Sequence, residues 1–545
     1  MTASCDEPVS VPPPLEPSSK AGTPEDGIDE SEYPSGLRLA AILMALVFSI
    51  FLASLDLTII STAIPEITDK FQSLNDVGWY ASALFLPVAA TQSMWGKAFK
   101  YFPIKTVFIF SIFVFEVGSL LCGIAPDSDT FIVGRAITGI GVAGTFSGCY
   151  IIIAFSSPPR ARPALTGVLG STYAVASIVG PLIGGALTDG PGWRWCFYIN
   201  LPFGGVAAVA IFVTFHPPKA ARPTPATLKE KLLQMDIQGA ILICAAVVCY
   251  LLALQQGGVV IPWKSSRCIG LLVGSGLISL TFGLNEWWMA ERALIHPKFL
   301  RDRTIVSGCW FCFFIAGNFY ILLFYLPIYF QAVKGASAMN SGIRLLPLIL
   351  GMTLFQVLVG IIITAWGVFN PFMIGGAALA SVGSGLLMKL AVDSPASMWI
   401  GYQTIAGIGL GLCFTIPIIV TQRITKASEV STATALVLFS QSLGGSLIVS
   451  AAQAVFQNVL VKHLAISNPT LNPLSIATAD ATTLRHEFAS TEISGILDSY
   501  VHGLRSAFAL SIPMAGIAML LAFVPKWIHL SKFDSGEGSN HQSKL

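Results

Sequence analysis

The chain has 545 residues, 54% of them hydrophobic and only 11% charged, where a soluble domain carries about a quarter charged residues. A net charge of +2, with lysines and arginines scattered between apolar segments, gives no basic face for nucleic acid. What remains is an all-α polytopic membrane protein whose solvent is the lipid bilayer.

Residues 1–36 hold seven prolines and eight acidic residues against the single base Lys20, a composition that cannot bury a core, so a disordered cytoplasmic tail is expected. The tail lacks the basic start and short apolar stretch of a cleaved signal, and the arginine-rich, acid-poor character of a mitochondrial presequence. The first span is therefore expected to do the targeting. Windows of about 20 apolar residues place spans near 39–64, 79–96, 104–125, 131–154, 164–187, 198–215, 238–255 and 268–285. Six more follow near 304–330, 344–366, 371–391, 397–420, 432–458 and 507–527. The total is fourteen, helices by length rather than barrel strands.

An even number puts both termini on one side. With the tail inside, the inner segments carry 20 Lys plus Arg and the outer segments 10, a bias that sets both termini in the cytoplasm. The longest connection, about 459–506, then faces outward, as a plain linker rather than a partly ordered lid. Its glycosylation-like triplet, Asn468-Pro469-Thr470, is spoiled by the proline. Residues 531–545 make a second cytoplasmic tail.

A charge near the middle of a bilayer costs about 3 kcal/mol on insertion scales, so an ionisable residue there is a functional candidate. Asp56, Glu116 and Arg135 qualify, and all three fall in the outer half of the first four spans, where they are expected to form one network. The seven histidines read as loop or helix-end residues, which leaves a carboxylate to carry any coupled proton. The bland alternative is a permanent ion pair that holds helices together. In "GVLGSTYAVASIVGPLIGGALTDG" (167–190), Gly170, Ala174, Ser177, Pro181 and Gly184 or Gly185 recur at helical spacing, giving a face on which another helix can pack closely. Pro181 removes a helix hydrogen bond, so the span can bend. "MWGKAFKYFPIKTVF" (94–108) is a tight basic loop whose Lys97, Lys100 and Lys105 suit anchoring at the inner interface. The cysteines read as small buried hydrophobes, Cys309-x-x-Cys312 included. No His, Asp and Cys cluster at metal or nucleophile spacing is visible, so neither a metal nor an enzyme is expected.

These residues resemble the fourteen-span drug:proton antiporters of the major facilitator superfamily, in particular fungal toxin and multidrug efflux pumps. "LDLTIISTAIP" (55–65) resembles their first-helix motif and "GRAITGIGVAG" (134–144) their fourth-helix motif, whose arginine, here Arg135, is implicated in proton coupling. "GPLIGGAL" (180–187), with Gly180, Pro181, Gly184 and Gly185, is similar to the fifth-helix signature of exporters. "WRWCFYINLPFG" (193–204) and "LFSQSLGGSL" (438–447) resemble segments typical of the fourteen-span branch. One motif departs: the loop after the second helix has Lys100 where relatives carry an aspartate four residues after the glycine, so no gating role carries over to Lys100.

The resemblance implies a six-helix bundle at 37–216, two inserted helices within 217–300, and a second six-helix bundle at 301–530, with a substrate path between the bundles and alternating access. Aromatic faces with a few amides suit a bulky, mostly apolar ligand; Trp310, Phe314, Asn318, Tyr320 and Tyr325 of the ninth span, with Gln356, Gln403 and Gln441, are the candidate contacts. The expectation is a monomeric exporter of small amphipathic compounds, such as a toxin, secondary metabolite or drug, driven by a proton gradient with no other cofactor, in the plasma membrane. A same-fold transporter of amino acids or iron chelates at the vacuolar membrane is the alternative, and a membrane-embedded enzyme or sensor a third.

Overall fold

The computed structural model describes residues 33–71, 77–218, 221–468 and 490–527. Residues 1–32 of the expected tail at 1–36, the whole expected tail at 531–545, and residues 469–489 of the expected outer loop lie outside them. In lipid each backbone N–H and C=O must find its partner within the segment, and an apolar run satisfies this as a helix. The chain accordingly builds α1 (Gly36–Phe71), α2 (Val77–Tyr101), α3 (Ile104–Ile124), α4 (Ser128–Ser156), α5 (Arg162–Asp189), the short α6 (Trp195–Tyr198), α7 (Asn200–Thr214), α8 (Leu228–Leu233), α9 (Ile237–Gln256) and α10 (Ser266–Met289). There follow α11 (Pro297–Arg301), α12 (Arg303–Ile328), α13 (Ala338–Arg344), α14 (Leu346–Trp366), α15 (Asn370–Leu387), α16 (Ala396–Cys413), α17 (Ile416–Ile424), α18 (Val430–Ser467) and α19 (Ser490–Leu521).

Thirteen of the described segments are long and apolar enough to cross a membrane. The fourteenth is α2, equally long but less apolar because it carries Gln92 and Ser93, which it buries almost completely. Helices α1–α5 and α7 pack together as one bundle, and α12 with α14–α19 as the other. The hairpin α9–α10 rests on α2 and α18, and most of its surface is left to lipid. The two halves share cores: Ala174 and Ile178 of α5 pack with Phe319 and Met352, while Ile418 and Val437 pack with Ile42 and Val142 of the first bundle.

The outer connection is shorter than the sequence suggests. Helix α18 runs 38 residues to Ser467 and α19 begins at Ser490, so much of 459–506 is helical. Asn458, Lys462, His463, Asp498 and His502 lower the hydropathy there without breaking the helix, because hydropathy reports contact with lipid rather than backbone conformation. The rings of His463 and His502 stack at 4.1 Å across the two helices. The single span expected at 397–420 is in fact two helices, with Pro417 at the start of α17 and the break at Phe414–Thr415.

Candidate functional site

Asp56 of α1 and Arg135 of α4 meet inside the first bundle, both wholly buried, with Arg135 Nη1 2.6 Å from Asp56 Oδ2. Arg135 Nε donates to the Tyr80 carbonyl of α2 at 3.0 Å. From α7, Asn200 Nδ2 donates to Asp56 Oδ1 and to Ser119 Oγ of α3, each at 3.1 Å. The acid is therefore held directly by groups from two other helices, α4 and α7, which are themselves bonded to α2 and α3. Moving two charges out of water is repaid only when the geometry is close and the remaining lone pairs are hydrogen-bonded, and this pair meets both conditions. Phe131, Phe197, Trp193 and Tyr80 wall the site edge to face, and the Arg135 guanidinium lies 5.9 Å from the Phe197 ring centroid.

Glu116 does not join the pair as expected. It lies one turn from Ser119 on α3, its carboxylate pressed against Gly204 of α7, and neither of its buried oxygens has a hydrogen-bond partner. The spacing explains the miss: Ser119 takes the position facing Asn200 and Asp56, and Glu116 reaches the next turn of α7. A Cβ at Gly204 would occupy the space of the Glu116 carboxylate.

The glycine motif of α5 divides between two neighbours. Gly180 lies where any Cβ would strike Thr58 of α1, and Gly184 is buried, whereas Gly185 has open space around it. Pro181 is accommodated inside the continuous helix. Toward the start of α5, Gly167 and Gly170 admit Gln356 of α14, and Thr415 at the α16–α17 break also borders Gly170.

This seam between the bundles gathers the polar and aromatic groups. Tyr173 and Tyr320 share a hydrogen bond of 2.7 Å across it. Phe146 and Phe319 meet Tyr173 in tilted contacts and Phe324 stacks on Tyr320, with Phe414 edge-on to Phe319 behind them. Both amide atoms of Gln356 and the Thr415 hydroxyl are buried there without partners. Of the sequence candidates, Tyr320 and Gln356 stand on the seam. Trp310 is half-exposed on the outer flank, where it stacks on Phe314 and lines a groove with Leu300, Phe439 and Leu443. Asn318 is buried inside the second bundle, donating to Ser384 Oγ at 2.8 Å and the Ser511 carbonyl at 2.9 Å. Tyr325 packs there on Phe456. Gln403 is wholly buried with both amide atoms unpartnered, and Gln441 is partly buried on α18. Sequence reasoning misses Tyr173, Phe146 and Phe414, which lie in different segments and acquire meaning only when the bundles meet. It also misses Asn200, although "WRWCFYINLPFG" contains it.

Two six-helix bundles meeting along a polar and aromatic seam, with an ion pair buried in one of them, define a multi-pass membrane transporter. The sequence matches the Major Facilitator Superfamily over residues 46–449, and the chain belongs to that family. It is 46% identical over 506 residues to the MFS-type transporter thnB of Trichoderma harzianum, covering 93% of this chain and 86% of that one. It is 44% identical over 497 residues to the probable efflux pump gsfJ of Penicillium aethiopicum, covering 91% and 89%. Among solved structures, the proton:xylose symporter XylE shares the fold at a TM-score of 0.58 and 14% identity, covering 91% of this chain and 98% of that one. The human organic anion transporter MFSD10 does so at 0.56 and 12%, covering 90% and 100%.

Proposed function

We propose that this transporter exports small, uncharged, amphipathic organic compounds in exchange for protons, with Asp56 as the proton carrier. The observation that carries this reading is the wholly buried Asp56–Arg135 pair. A proton arriving from the outer side converts the Asp56 carboxylate to the acid and removes the counter-charge of Arg135, which keeps the Tyr80 carbonyl. The charge balance of the first bundle then differs between loaded and unloaded states, a difference that can bias the two bundle arrangements. Around Tyr173, Tyr320, Gln356 and Thr415 the seam supplies hydroxyls, amides and aromatic faces, which suits a neutral cargo. Relatives named efflux pumps support the outward direction. Both termini then lie in the cytoplasm, and the plasma membrane is the site of action.

The test is substrate flux in sealed vesicles with and without a pH gradient. Asp56→Asn is expected to abolish gradient-driven accumulation while binding persists; normal gradient-driven transport by that variant would remove Asp56 from the mechanism.

A further inference from the structure

On the side of the molecule where α1 begins, α2 and α18 approach so closely that a Cβ at Gly96 would meet the Ala435 methyl group and the Ser431 carbonyl. The next residue, Lys97, is almost wholly buried, and it turns not to α18 but to the inserted hairpin. Its Nζ donates to the Arg292 carbonyl at 2.6 Å, two residues before Leu294, whose N–H is held by the carboxylates of Asp236 and Glu286. Asp236 caps α9 from a left-handed backbone conformation, with φ of 45°, and its Oδ1 accepts from Gly239 N at 2.9 Å and Asn285 Nδ2 at 3.4 Å. The Leu294 N–H is shared between Asp236 Oδ2 at 2.9 Å and Glu286 Oε1 at 3.2 Å, and Glu286 Oε2 accepts from Ile295 N at 2.6 Å. The segment so held, 293–299, is wedged between Leu86 and Ala90 of α2 and Ala433, Leu436 and Phe439 of α18. At its far end Lys298 pairs at 2.8 Å with Glu429, the residue just before α18.

We propose that Lys97, Asp236 and Glu286 are positioning residues that lock the inner gate, and that this lock is what the two inserted helices contribute to transport. The gate is the α2–α18 seam, and opening it requires Gly96 to part from Ser431 and Ala435. That movement pulls Lys97 away from the Arg292 carbonyl and leaves two neighbouring carboxylates without their cation. The seam therefore opens only against the cost of stranding a buried ammonium, the buried Asp236 and the partly buried Glu286, so the closed inner arrangement is favoured until cargo offsets that cost. The proposal rests on alternating access between the bundles and is independent of which acid carries the proton.

The experiment reads the gate rather than flux. Ser431→Cys, in a chain whose Cys5 is replaced by Ser, is labelled with a membrane-impermeant maleimide applied to the cytoplasmic face, against the Cys5→Ser parent as background. Lys97→Ala, and separately Asp236→Asn with Glu286→Gln, are expected to raise the labelling rate at least tenfold, and Lys97→Arg to restore it. Unchanged labelling in the double carboxamide variant, with melting and gel filtration matching the parent, overturns the lock. Because that variant keeps every side-chain volume, it decides the matter even where Lys97→Ala fails to fold. Failure of Asp56→Asn to alter transport leaves this readout untouched, so the two ideas fall separately.

Discussion

Asp56 is held by more than its arginine. Asn200 Nδ2 bridges Asp56 and Ser119, so it stands between the ion pair and the turn of α3 that carries Glu116. Asn200→Ala removes both bonds from buried partners and is expected to cost about 1–3 kcal/mol, read as a lowered melting temperature in detergent, with no change in helix content. Arg135→Ala should cost more, about 3–5 kcal/mol, because it leaves the carboxylate buried without its cation. The acid and the arginine were legible in the sequence, since a charge inside an apolar run is rare and each lies in a recognisable motif. Asn200 was not, because an amide at the start of a helix looks like an ordinary N-terminal residue. The Tyr80 contact was beyond reach, being made through a backbone carbonyl that no side-chain pattern encodes.

Helix α5 separates residues that the sequence presented as one stripe. Gly180 faces Thr58 with no room for a methyl group, and Gly185 faces open space. Gly180→Ala is expected to destabilise by about 1–3 kcal/mol through overpacking. Gly185→Ala should be neutral or stabilising by up to about 1 kcal/mol, since alanine loses less backbone freedom in a helix. Thermal unfolding of the two variants side by side measures the difference. Helical spacing identified a small-residue face but could not say which neighbour each glycine meets. The same limit misplaced Trp310, Asn318 and Tyr325: in a membrane both the lipid-facing and the core-facing sides of a helix are apolar, so composition alone does not orient the ninth span.

At the scale of the whole molecule, the bundles were legible and their seam was not. Fourteen apolar segments, a two-to-one charge bias and five motifs gave the architecture, while Tyr173, Tyr320, Gln356 and Thr415 come from segments far apart in the chain. Gly170 is where the two halves touch through Gln356 and Thr415. Gly170→Val places two methyl groups into that contact and is expected to cut transport at least tenfold. Most of each core cluster still comes from a single bundle, so circular dichroism and detergent stability should stay close to the parent.

Helix α18 has 38 residues and α19 has 32, so at 1.5 Å per residue they measure about 57 Å and 48 Å, against about 30 Å of hydrocarbon. Their paired ends, where His463 stacks on His502, lie on the face opposite the start of α1, and their length exceeds what the hydrocarbon needs. The described residues thus include a rigid two-helix post. An antibody fragment raised against that post would give electron microscopy a fixed landmark while leaving the seam and the inner gate free to move.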